Sequence, residues 1–160
     1  MRFLLQVLGL AVPAAAMAAP VQESPLLVPV RQLFASFNAG RPDAAASAFA
    51  ADAVIIDEFP PYRWQGPKAH HDWAADLAKA TAAYGATNMH ARIGAPTWAE
   101  TKGSNGFLVV PEALDSRVNG KPMCERGLHS FSFRKERGQW KITVSAWALG
   151  AILPGRCKPV

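Results

Sequence analysis

Asp57 closes the β-branched run Ala53-Val54-Ile55-Ile56-Asp57 and is followed directly by Glu58. A carboxylate at the end of such a strand, opening into a dry pocket, can shuttle a proton next to a carbonyl. The same aspartate can instead accept loop N–H groups or pair with an arginine, with Glu58 as the exposed partner. His129 shares strand parity with Phe131 and Phe133, the phase expected to face the core. An imidazole there can donate a hydrogen bond or exchange a proton near neutral pH. It can equally rest as a neutral core histidine bonded to a tyrosine or a backbone carbonyl. Tyr62 and Trp64 stand in the Pro- and aromatic-rich segment Glu58–Gly66. Their rings can lid a cavity and stack on a flat or apolar ligand, or Trp64 can plug the interior. Trp73, Phe131 and Phe133 complete the expected pocket wall, although tryptophans such as Trp73, Trp140 and Trp147 are more often core than ligand contacts. Glu125 lies on the face of His129 but roughly 13 Å along the strand, too far to pair with it.

Other chemistries lack their residues. His70 and His71 are adjacent, so a helix splays them about 100° apart. His90 and His129 are distant in sequence, and no zinc spacing appears. No nucleophile-elbow, phosphate-loop or dinucleotide motif is present, so neither a metal nor a cofactor is expected.

The chain of 160 residues suits one domain and can bury roughly two thirds of its unfolded surface. With 50% hydrophobic and 18% charged residues it is not a disordered polar chain. Residues 1–18 read as a secretory signal. Arg2 precedes the apolar run Phe3–Val12, Pro13 breaks it, and Ala16-Met17-Ala18 offers a cleavage site. The mature protein is then expected to be exported, periplasmic or extracellular, with no stable membrane insertion. Loss of Arg2 lowers the net charge from +5 to +4, with the basic residues scattered, and nucleic acid is not an expected partner. Cys124 and Cys157 enter an oxidising space and are expected to pair, which stabilises by roughly 3–4 kcal/mol on the chain-entropy account.

The elements that must position these residues follow from periodicity. Residues 19–25 form a flexible lead-in and residues 26–160 the domain. Val30, Leu33, Phe34 and Phe37 recur at helical spacing, and Asn38-Ala39-Gly40 ends that helix. Pro42 starts a short helix to about Ala50 that buries Ala46 and Phe49. A strand covers 53–57, a loop 58–66, and Pro67 opens the longest helix, with Trp73, Leu77, Ala80 and Tyr84 in one stripe and Gly85 as cap. Strands are expected at 87–93, 107–118, 123–134 and 140–148. Pro111 marks a bulge or edge, Asn119-Gly120 a two-residue hairpin turn, and residues 135–139 a further turn. In the last strand Lys141, Thr143 and Ser145 alternate with Ile142 and Val144. Helices followed by an antiparallel sheet make an α+β layout with a concave pocket.

Several segments, in this order, resemble the nuclear transport factor 2-like superfamily, and within it the SnoaL-like and ketosteroid isomerase-like branch. They are Phe37-Asn38-Ala39-Gly40-Arg41, the entry Phe49-Ala50-Ala51-Asp52-Ala53 into the first strand, Trp64-x-Gly66-x-x-Ala69 at the third helix, and the closing strands 128–133 and 140–144. The resemblance covers about Val30 to Leu149. It implies a cone of three N-terminal helices on a bent antiparallel sheet enclosing a cavity. It places Asp57 where ketosteroid isomerases keep their general base, and His129 where they hold a neutral acid that donates to the oxyanion. Leu33 stands where their oxyanion tyrosine would be, so steroid isomerisation is not expected. The leading expectation is an apolar pocket binding a small apolar or aromatic molecule. An acid–base lyase, isomerase or hydrolase using Asp57 and His129 is the alternative. A third is an interaction module that homodimerises through the open sheet face, with Thr143, Ser145 and Trp147 on that surface.

Overall fold

A computed structural model describes residues 23–160. The signal expected at 1–18, and most of the lead-in, lie outside the described residues.

Helix α1 (Leu27–Asn38) buries Leu27, Val30, Leu33 and Phe34 against the sheet. Asn38 ends it by clamping a neighbouring strand: its amide donates to the Ala91 carbonyl and accepts from the Ala91 N–H, both at 2.8 Å. Residues Pro42–Ala48 form a 3-10 helix. Its three-residue period buries Ala45 and Ala48 and leaves Ala46 exposed, against the expectation for a regular α-helix. The chain then extends as β1 (Phe49–Ile56), four residues earlier than expected, with Phe49 half-buried. β2 (Arg63–Gln65) pairs antiparallel with β1 inside the segment read as loop. Helix α2 (Ala69–Tyr84) ends at Gly85, whose φ of 64° lets its N–H turn back to the Thr81 and Ala82 carbonyls.

The remaining strands are β3 (Ala86–Ile93), β4 (Trp98–Lys102), β5 (Asn105–Val118), β6 (Lys121–Glu136) and β7 (Gln139–Pro154). They join β1 and β2 in a sheet of order β2-β1-β7-β6-β5-β3, with β4 also on β5. β1 and β7 are parallel, and every other pair is antiparallel. β4 is exposed at every position, so it shows no alternation for a sequence reading to find. Pro111 sits in an unbroken β5–β6 register, at the point where β5 exchanges β4 for β3 on its other side.

The main core lies between α1, the 3-10 helix and the concave face of β3 and β5–β7, with Leu108, Val110, Phe131, Phe133 and Ile142 at its centre. A second cluster of Ile55, Phe59, Trp64 and Ala69 fastens α2 to β1 and β2. Cys124 and Cys157 are disulfide-bonded. The Cys157 N–H donates to Asp115 Oδ1 at 2.7 Å, so the chain end is tied to β5 and β6.

Candidate functional site

The concave face is not filled. Between α1, α2 and the sheet lies a cavity of about 450 Å³, with Leu33, Phe34, Phe37, Trp73 and Leu77 among the helical walls. The sheet contributes its inward phase. On β5 this is Glu112, Leu114, Ser116 and Val118, and on β6 it is Met123, Glu125 and His129. On β7 it is Ser145, Trp147, Leu149 and Ile152.

Strand β7 reaches the cavity by switching faces. Ser132 pairs Val144 and Phe133 pairs Ile142, so Thr143 is an extra, unpaired residue. Such a bulge inverts alternation. Ile142 points into the core, and after the bulge Ser145 and Trp147 point inward as well. Ser145 is 3% exposed and Trp147 half-buried, so the expectation that both lie on an outer sheet surface is corrected. A second shift brings Gly127 opposite Leu149 and Arg126 opposite Ala151, leaving Gly150 over.

Asp57 and His129 both open into this cavity. Asp57 Oδ2 accepts from Trp73 Nε1 at 2.8 Å and Oδ1 from the Glu58 N–H at 2.7 Å. It has no arginine partner among the described residues. Burial pushes its carboxyl above the usual range, opposed by the Trp73 and Glu58 hydrogen bonds and by His129. A carboxylate has about four acceptor sites, so two bonds leave it room to take a proton from a ligand.

His129 is held on both nitrogens. Glu112 Oε2 lies 2.7 Å from Nδ1 and Ser145 Oγ 2.8 Å from Nε2. Phe131 stacks on the ring at 4.2 Å and 13°, and Phe34 meets it edge-on at 6.0 Å. The carboxylate fixes a proton on Nδ1. The neutral ring then accepts from the Ser145 hydroxyl at Nε2, and the protonated ring donates to it. This Glu112–His129–Ser145 chain spans three adjacent strands. Neither Glu112 nor Ser145 was singled out by the sequence for a site. The phase Leu108-Val110-Glu112-Leu114-Ser116 does carry the signal for the former: polar residues standing in an apolar phase.

Two more carboxylates face the same space. Glu58 Oε2 accepts from Trp147 Nε1 at 3.0 Å, and its carboxyl is raised by burial and by Asp57 and Glu112. Glu125 is pushed up to about 7, first by burial and then by Glu58, Asp57 and Glu112. No lysine or arginine lines the cavity among the described residues.

The expected wall aromatics divide. Trp73 is on it. Tyr62 is 57% exposed and off it, at a φ of 67°. Trp64 is buried behind it, packed on Phe59 at 5.1 Å and donating to Asp76 at 3.0 Å. Phe131 and Phe133 are sealed in the core at 0% and 2% exposure, because the floor at their level is closed by α1 and the 3-10 helix. His70 is buried between Phe49 and Trp73 with both ring nitrogens unpartnered, and burial lowers its pKa. No group of three or more His, Cys, Asp or Glu among the described residues converges to hold a metal.

Residues 30–139 match the family profile described as SnoaL-like domain. No curated protein matches the chain in sequence. Among solved structures, hexachlorocyclohexane dehydrochlorinase LinA-type3 from Novosphingobium barchaimii superposes with a TM-score of 0.70 at 10% identity, covering 85% of this chain and 93% of that one. A ketosteroid isomerase-like protein from Erwinia carotovora atroseptica superposes with a TM-score of 0.63 at 13% identity, covering 79% and 94%. The chain shares their fold, the α+β cone of the nuclear transport factor 2-like proteins.

Proposed function

The chain belongs to the SnoaL-like family, and from that premise we propose that it takes a small, largely apolar organic molecule into its cavity and catalyses cofactor-free proton transfer on it. The observation that carries this reading is the sharing of one cavity by Asp57 and His129, with Asp57 paired to no arginine among the described residues. Asp57 is the base. Its raised pKa brings a carboxylate closer to the basicity that abstraction of a proton next to a carbonyl or leaving group requires. The His129–Ser145 pair is the acid: a proton on Nε2 passes through the Ser145 hydroxyl toward the ligand, while Glu112 holds the ring and balances its charge. Leu33 lies on the cavity wall and cannot donate a hydrogen bond, so a developing oxyanion in reach of Ser145 would be met by this chain. The fold relative named as a dehydrochlorinase performs an elimination, which is consistent in reaction class with a base in this cone.

Deuterium exchange into a panel of apolar cyclic ketones in D2O, followed by NMR, tests the reading. Asp57→Asn keeps an acceptor for Trp73 and should lose about 10²–10⁴ of the exchange rate. Exchange no faster with the wild type than with D57N, across the panel, removes Asp57 as base.

Export through residues 1–18 belongs to the same reading. The Cys124–Cys157 bond supports it, since disulfides persist in oxidising compartments. A homodimer through the outer sheet face, where Leu128 stands 48% exposed, is checked by sedimentation.

A further inference from the structure

The cavity's charge is one-sided. Asp57, Glu58, Glu112 and Glu125 line it, His129 is the only basic group there among the described residues, and aliphatic and aromatic side chains make up most of the rest. Each of the first three carboxylates has an internal donor: Trp73 and a backbone N–H, Trp147, and His129. Glu125 has none among the described residues, and the groups that act on it are three other acids. Across the β5–β6 ladder Glu125 faces Leu114, and Ser116 is its diagonal neighbour on the same face. Ser116 is 6% exposed, lines the cavity, and its hydroxyl has no hydrogen-bond partner. A buried hydroxyl left unpaired is costly, so its presence on a cavity wall points to a polar group supplied by a ligand.

These observations select among ligand charges. An anion would meet these carboxylates and, among the described residues, no lysine or arginine to pair with. A neutral molecule could hydrogen-bond to Ser116 but would leave the Glu125 charge unbalanced. A bare metal ion lacks a convergent set of ligands among the described residues. An ammonium group answers both, with N–H donors for the Glu125 carboxylate and the Ser116 oxygen, and aromatic faces add cation–π attraction.

We propose that the natural occupant of the cavity is an organic amine, its ammonium held between Glu125 and Ser116 and its ring or aliphatic body packed among Phe34, Phe37, Leu77 and Trp73. The inference rests on the small-molecule reading above and narrows it to a substrate class. About 450 Å³ accommodates a bicyclic body with a short amino side chain.

The arrangement also sets a pH dependence. The titratable groups that line the cavity with Glu125 are Asp57 and Glu58 after β1, Glu112 on β5, His129 on β6 and Tyr84 at the end of α2. Burial and the neighbouring acids keep Glu125 partly protonated at neutral pH, and a bound cation favours its ionised form, so binding releases a proton.

The test uses three matched probes: 2-(1-naphthyl)ethylamine, 2-(1-naphthyl)ethanol and 1-naphthylacetic acid, titrated into the purified protein by calorimetry. The amine should bind at least about tenfold more tightly than the alcohol, and the acid more weakly than either. Amine affinity should rise about tenfold from pH 6 to pH 8, with heats that depend on buffer ionisation because a proton leaves. Glu125→Gln should flatten that profile and narrow the gap between amine and alcohol. Ser116→Ala, a smaller change, should weaken the amine alone and covers the case in which E125Q misfolds. Alcohol or acid binding as tightly as the amine overturns the inference and leaves the small-molecule reading standing. An unchanged amine profile in both variants overturns the assigned groups. Failure of all three probes to bind overturns both.

Discussion

Trp73 Nε1 donates to Asp57 Oδ2 at 2.8 Å, from the second turn of α2 onto the end of β1. The bond stabilises the ionised carboxylate against a burial that disfavours it. It thereby ties Asp57, the proposed base, to the helix that forms the opposite wall.

Trp73→Phe keeps the ring and removes the donor. Asp57 should then titrate higher, because the hydrogen bond that favours its ionised form is gone. Carboxyl ¹³C NMR across pH 3–8 checks it. An unmoved Asp57 resonance would mean that the indole contributes packing alone.

Glu125 gives stability a pH slope. Its carboxyl is raised from the ordinary 4.5 to about 7, so the folded protein binds the proton more tightly than the unfolded chain does. That contribution is complete below about 4.5 and is lost as pH rises through about 7. Because the side chain is partly solvated, its discounted effect is about 1 kcal/mol, or about 3 °C in Tm. E125Q should therefore be more stable than wild type at pH 8 by about that amount, and near equal at pH 4.5. Urea unfolding at the two pH values decides it, and equal differences at both would refute the slope.

The Cys124–Cys157 bond closes a loop of sequence separation 33. Replacing both cysteines by serine should cost about 4 kcal/mol, roughly 10 °C in Tm. The Cys157 N–H bond to Asp115, and the Arg92–Asp115 ion pair beneath it, should loosen with it. Hydrogen exchange at the Cys157 amide reports that directly, and retained protection would show that Asp115 alone anchors the tail.

Gly127 has no room for a side chain. A Cβ there would stand 2.1 Å from the Ala148 carbonyl oxygen and 2.7 Å from Trp147 Cη2. Gly127→Ala should destabilise by about 2–3 kcal/mol and displace Trp147 from Glu58. Near-UV circular dichroism of the indole is the readout, and an unchanged spectrum at full stability counts against the close packing.

How much of this was legible depended on regularity. α1, α2, the Asn119-Gly120 turn and the inward phase of β6, which carries His129, follow from uninterrupted period and turn chemistry, whereas the expected place of Asp57 in the cone came from the family resemblance. Ser145 and Trp147 did not, because one extra residue at Thr143 inverts the alternation and no residue type announces it. Tyr62 and Trp64 were misplaced because an aromatic loop reads like a lid, whereas Arg63–Gln65 pairs with β1 and turns Trp64 inward and Tyr62 outward. β4 was unreadable because it is exposed at every position. Glu112 was overlooked although its phase within β5 marked it.

The extra residue at Thr143 behaves like a frameshift written in side-chain directions rather than codons. Upstream of it the odd residue Lys141 faces out; downstream the odd residues Ser145 and Trp147 face in. Removing that one residue would leave β7 as long as most strands and as hydrophobic as before, yet it would turn Ser145 away from His129 and Trp147 away from Glu58. In this strand the length of the chain carries chemical information that no substitution can restore. A one-residue gap between relatives at this point therefore separates proteins with different sites, even where the flanking residues are the same.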